Sequence, residues 1–149
     1  MRKRHLAPHN KIDGCELRKC AGFPEETKDC TVRAVSIAID IPYAVAHAML
    51  SKAGRPDKDG PRASVFTAFM KSIGYTKYEY PARYYKVEKC YGTIERRARI
   101  TFKRWLPEHS TGRYIVDMRG HVFAVIDGVV HDALTIGPRT NIQGHWHIK

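Results

Sequence analysis

The sequence predicts an α+β domain, with helices first and an antiparallel sheet second. Three observations carry that prediction. Residues 30–73 hold three apolar segments with helix-like spacing, punctuated by Pro and Gly. Residues 113–148 hold short runs rich in β-branched and aromatic residues. Between two of those runs stands Asp127-Gly128, a strong hairpin signal. At 149 residues the chain is long enough for one domain with its own core.

Residues 1–28 read as a polar arm without periodicity, and the domain is expected to span 29–149. From Cys30 to Ile41 the polar residues Arg33, Ser36 and Asp40 form one narrow stripe, predicted to face solvent. Nearly everything else there is apolar, which predicts a mostly buried helix; the β-branched content keeps a strand open as the alternative. Pro42 suits the start of a second helix running to about Ala53, with Val45, Ala46, Met49 and Leu50 inward. Residues 54–62 are a Gly/Pro loop. A third helix over about 63–73 turns Val65, Phe66, Phe69, Met70 and Ile73 inward and stops at Gly74. Residues 75–92 read as a tyrosine-rich loop with a short strand at most, and 93–109 as containing a basic amphipathic helix. Strands follow at 113–118, 121–127, 129–133 and 145–148.

The net charge of +11 favours polyanionic partners, whether nucleic acid or acidic protein. No apolar run approaches the ~20 residues of a membrane span. No hydrophobic stretch follows the basic Met1-Arg2-Lys3-Arg4-His5, so no secretory signal is expected. The expected location is the cytoplasm of the producing or host cell. Four cysteines, at 15, 20, 30 and 90, are too sparse for a disulfide scaffold.

Two residues carry the chemistry. Cys30, in Lys28-Asp29-Cys30-Thr31-Val32-Arg33-Ala34, falls at a helix start behind Asp29, a favoured N-cap type. The partial positive charge of a helix N-terminus stabilises a thiolate. The backbone amides of Asp29 and Cys30 are candidate oxyanion donors. His121 opens the strand Arg119-Gly120-His121-Val122-Phe123-Ala124-Val125. With a two-residue turn at Asp127-Gly128, Ile126 pairs with Val129 and Phe123 with Asp132, which places Asp132 diagonally across from His121. A carboxylate there orients an imidazole and stabilises its protonated form. A slip of one residue would present His131 instead. His145 and His147 are rival bases; His47 and His109 read as helix-surface residues.

The stretches Asp29-Cys30-Thr31-Val32-Arg33-Ala34 and Arg119-Gly120-His121 through Asp127-Gly128 resemble the papain-like cysteine peptidase superfamily. The nearest likeness is to small stand-alone domains, many phage-encoded, related to bacteriocin-processing peptidases. The run from Asp29 to Ser36 is also similar to the nucleophile helix of ovarian-tumour-type deubiquitinases. The resemblance implies a papain-like fold with the nucleophile helix starting at Cys30. It implies a triad of Cys30 as nucleophile, His121 as general base and acid, and Asp132 as orienter. It further implies thiol hydrolase or acyl-transfer chemistry on a peptide, isopeptide or amide in a protein or peptide substrate. The chain departs from the pattern before the cysteine. Residues 23–28 hold no glutamine, and Thr27 stands where the deubiquitinases carry aspartate.

Two further groups of residues are candidate sites. His5, His9, Cys15 and Cys20 have the side-chain types of a tetrahedral zinc site, but Cys-x4-Cys lies at the edge of the usual spacing. No cofactor is expected, with zinc on the arm as the alternative. Tyr84, Tyr85 and Lys86, with Arg96, Arg97, Arg99, Lys103 and Arg104, mix stacking rings with cations and form a candidate surface for nucleic acid or an acidic partner. The alternative function is accordingly a non-catalytic basic binding module on the same fold.

Overall fold

The computed structural model describes residues 7–12, 18–19, 21–23 and 26–149. Among the described residues the full helices are α1 (Cys30–Ile39), α2 (Tyr43–Lys52), α3 (Ala63–Ser72) and α4 (Phe102–Glu108). The strands are β1 (His9–Lys11), β2 (Tyr78–Glu79), β3 (Arg83–Lys89), β4 (Gly92–Ala98), β5 (Arg113–Met118), β6 (His121–Ile126), β7 (Val129–Asp132) and β8 (Ile142–Ile148). Six strands form one sheet in the order β1-β7-β6-β5-β8-β2, and β3 and β4 pair separately. The architecture is mixed α+β.

The main sheet is not wholly antiparallel, as the sequence reading had it. β1 comes from the segment read as a polar arm and runs parallel to β7, with His9 opposite Val130 and Lys11 opposite Asp132. Three residues are too few for a periodicity to register. Their hydrogen bonds cover an edge of the hairpin that would otherwise lie open.

The alternation of β5 and β6 sorts the core into two layers. Ile115, Val122, Ala124 and Trp146 pack with Val32, Val35, Leu50 and Phe66 of the first three helices. Tyr114, Val116, Phe123 and Val125 pack with Phe102 and Trp105 of α4 on the opposite face. The β-branched residues of α1 are accommodated because Val32 and Val35 are fully buried in the first layer. Asp40 ends α1 in a left-handed conformation, φ 60°, returning its N–H to the Ser36 carbonyl.

Three expectations are corrected. Arg33 does not face solvent; it is buried, because two carboxylates pull it inward. Val45 is exposed, and Tyr43, Ala46 and Leu50 form the inner face of α2. Residues 83–92 of the tyrosine-rich loop and the start of the 93–109 segment form a β-hairpin from Arg83 to Ala98, while the helix expected within 93–109 is Phe102–Glu108. Val87 opposite Ile94 and Tyr85 opposite Arg96 show the period-two pairing. The hairpin buries little, so its strands lack the apolar alternation that marks a half-buried strand.

Gly144 is a point of close approach. A Cβ there would lie 2.6 Å from the Tyr78 carbonyl oxygen and 2.6 Å from Lys77 Cε. The oxygen is backbone and cannot rotate away, so β2 must leave β8. Gly144→Ala is expected to cost about 1–3 kcal/mol of unfolding free energy, as overpacking does. Chemical denaturation checks this, and an unchanged midpoint contradicts it.

Candidate active site

Cys30 is the first residue of α1, a free and partly exposed thiol. Asp29 precedes the helix, but its side chain makes no capping bond. Its carboxylate instead accepts a 2.7 Å hydrogen bond from Arg33 Nη1 and a 2.8 Å bond from the Tyr43 hydroxyl. Burial and the Asp29 charge push the Tyr43 pKa up, so that hydroxyl stays a donor. The early amides of α1 have no partner within the helix and lie beside the thiol.

His121 is held by the hairpin. Asp127 and Gly128 adopt φ 48° and 77°, the type I′ turn that two-residue hairpins favour. The register follows: Ile126 faces Val129, Val125 faces Val130 and Ala124 faces His131. The next step sets Asp132 diagonal to His121, and His121 Nε2 donates to Asp132 Oδ2 at 2.5 Å. That bond leaves Nδ1 as the ring nitrogen not held by Asp132. His131 falls on the other face, where Asn10 Nδ2 lies 3.3 Å from its Nδ1. His145 is no rival: it sits on the face covered by α4 and accepts from Trp105 Nε1 at 3.2 Å. Burial, then the charges of His109 and His147, lower its pKa to about 4. Neither helix-surface reading holds. His47 reaches Glu26, and His109 stacks on Trp105 with ring centroids 4.2 Å apart.

The two reactive groups shift one another. Burial alone would raise the Cys30 pKa. Hydrogen bonding from His121 and the Val122 amide, with the charges of His121 and Arg33, outweighs burial and lowers it. Burial alone would lower His121, but its bonds to Asp132 and Cys30 raise it to about 9. The two shifts each favour the charged form of the group.

Arg33 ties the site together. Its Nη2 lies 3.6 Å from Asp132 Oδ1 while Nη1 holds Asp29, so one buried cation spans the carboxylates before the cysteine and behind the histidine. Asp29 and Asp132 are both almost fully buried. The sequence reading missed Arg33; its spacing from Asp29, four residues along a helix, was the available signal.

A second buried group fixes the segment leading into Cys30. Glu26 takes Arg55 Nη2 at 3.0 Å and Nη1 at 3.2 Å and meets His47 Nε2 at 2.6 Å, while Arg55 also donates to the Lys28 carbonyl. Burial would raise the Glu26 pKa, but the bonds and charges of Arg55 and His47 lower it below 4.5. A depressed carboxylate stabilises the fold above its unfolded pKa, and that contribution is lost as pH falls through the folded value. Glu26→Gln is therefore expected to flatten the dependence of stability on pH below about 4.5, read from denaturation midpoints. An acid limb as steep as wild type would contradict the pairing.

Cys30 and His121 open into a cleft of about 260 Å³, with Thr31, Phe66, Met118 and Trp146 among its walls. Gln143 of β8 also lines it, as do Lys77 and Asp117, bonded at 2.6 Å. Of the residues weighed for zinc, His5, Cys15 and Cys20 lie outside the described residues. His9 lies on β1, with Nε2 bonded to the Leu134 carbonyl at 2.6 Å. Among the described residues no cluster of three or more His, Cys, Asp or Glu could hold a metal ion. The basic and aromatic set is spread over the hairpin and α4: Tyr84, Tyr85 and Lys86 on β3, Arg96 and Arg97 on β4, Arg99 beyond it, Lys103 and Arg104 on α4. No helix in the described residues is long and apolar enough to cross a membrane.

Compared with known proteins, the chain matches no family model, no curated protein and no solved structure.

Proposed function

We propose that this chain is a cysteine-dependent hydrolase or acyl-transfer enzyme on a papain-like α+β domain, acting on a peptide, isopeptide or amide. The observation that carries the reading is the single imidazole of His121, fixed by Asp132 through Nε2 and lining one cleft with Cys30 at a helix N-terminus. A structural histidine needs no thiol at its other nitrogen, and a structural cysteine has no use for a lowered pKa.

The reading gives the following steps. The Cys30 thiolate adds to the acyl carbon, forming a C–S bond and an oxyanion that the amides at the start of α1 can bind. Gln143 is a further amide in the same cleft. The His121 imidazolium gives its proton to the leaving nitrogen as the C–N bond breaks, which leaves a thioester. His121, now neutral, takes a proton from water or an amine as that nucleophile attacks, and the thiolate departs. Asp132 keeps the ring oriented and its charge compensated throughout.

The protonation states set the pH window. Acylation turns on as pH rises past the lowered value of Cys30 and fades as His121 loses its proton near 9. Intact mass spectrometry after exposure to an activated acyl ester tests the reading. One acyl group on Cys30, discharged by water or an added amine, is expected. An unacylated Cys30 across about pH 6 to 9 overturns it.

A further inference from the structure

Two depressions lie in series beside the cysteine cleft, and both are lined by arginines. The first, about 460 Å³, is walled by Arg97, Arg99 and Arg119 with Asn141, and it shares Gln143 with the cleft. The second, about 610 Å³, shares Ala98 and Arg99 with the first. It adds Arg83 and Arg104 between the rings of Tyr78, Tyr80, Tyr84 and Tyr85. Neither is lined by a carboxylate. Among the described residues none of these five arginines is in an ion pair. Four are exposed and Arg99 is half-buried, its Nη1 donating to the Tyr80 carbonyl.

The hairpin that carries much of this surface is built for presentation. Both faces of β3 and β4 are largely exposed. Glu88 and Glu95 fall on the face of Tyr84 and Arg97, whereas the face of Tyr85 and Arg96 holds Arg83 and Lys89 and no acid. A two-stranded ribbon with little burial is marginal alone, so exposed tyrosine and arginine there fit recognition, the residue types that dominate binding energy at interfaces.

We propose that this trough is the docking site for an acidic, extended flank of the polypeptide whose acyl carbon is delivered to Cys30. The inference rests on the cysteine reading of the cleft, and continuity selects the occupant. A nucleic acid strand would satisfy the arginines and stack on the tyrosines, but it offers the thiolate no acyl carbon. A polypeptide satisfies both ends at once. Arg119 marks the join, since it is exposed and lies two residues before His121.

Binding is measured on Cys30→Ala protein, so it does not depend on a working thiol. The probes are a short fluorescent peptide of alternating glutamate and serine, its glutamine counterpart, and an oligothymidylate of similar length. The acidic peptide is expected to bind best, and more weakly as salt rises. Arg97→Ala and Arg119→Ala should each weaken it about two- to fivefold, as loss of an exposed charge pair does. Saturating wild-type protein with the acidic peptide should slow alkylation of Cys30. Equal binding of the glutamine peptide, tighter binding of the oligonucleotide, or binding without protection of Cys30 each overturns the proposal. Reactivity of Cys30 in the free protein is a separate readout, so the cysteine reading can fail or stand by itself.

Discussion

At about pH 6.5, iodoacetamide is expected to alkylate Cys30 on the order of tenfold faster than it alkylates Cys90. Cys90 is an exposed free thiol in the same chain and so an internal reference. An unperturbed thiol, with a pKa near 8.5, is about 1% ionised at that pH. Burial works against the thiolate, but His121, the Val122 amide and Arg33 together lower the Cys30 pKa. The gain in thiolate exceeds the gain in rate, because a thiolate of lower pKa is a weaker nucleophile. His121→Ala removes the counter-ion and should abolish the advantage. Asp132→Asn keeps the shape but removes the charge behind the ring, so the advantage should shrink. The sites are read by peptide mass mapping over a pH series. If Cys30 titrates like Cys90, or reacts identically without His121, the pair is structural.

The second large effect is on stability. Arg33→Met should lower unfolding free energy by about 3–5 kcal/mol, the cost of breaking a buried ion cluster by removing one partner. The carboxylates of Asp29 and Asp132 would then face each other's surroundings without the cation that spans them. For a domain of this size that corresponds to a fall in Tm of roughly 10 °C, at about 2–4 °C per kcal/mol. Arg33→Lys restores charge but not the planar fork that reaches both acids, so it should recover only part. A loss below about 1 kcal/mol would mean that water reaches the cluster and screens it. Thermal and chemical unfolding, compared with Ser36→Ala on the same helix, measure this.

The same two residues show how far a sequence can be read. The Asp127-Gly128 turn accepts positive φ at both positions, and once its type is set, pairing arithmetic carries Asp132 to His121. That step was legible because hairpin register is local and period two is exact. Of the role of Arg33 only its i,i+4 spacing from Asp29 was legible. Counted along its helix it belongs with Ser36 and Asp40, and Asp29 together with Asp132, ninety-nine positions later, turns it inward. Glu26 and Arg55 pair across twenty-nine residues for the same reason. The β3–β4 hairpin escaped because exposed strands carry no burial pattern to betray them. β1 escaped because three residues form a strand only when an edge is waiting for them.

By itself, then, the sequence determined the local parts: a helix beginning at Cys30, a strand beginning at His121, and a turn that aims Asp132 at the imidazole. These depend on backbone preference and on neighbours a few residues away. The tertiary structure alone decided that the helix end and the strand end line one cleft, that Arg33 joins their two carboxylates, and that an arginine-lined depression shares Gln143 with that cleft. Those outcomes depend on which faces pack to exclude water, and burial of that kind is a property of the assembled layers rather than of any one segment.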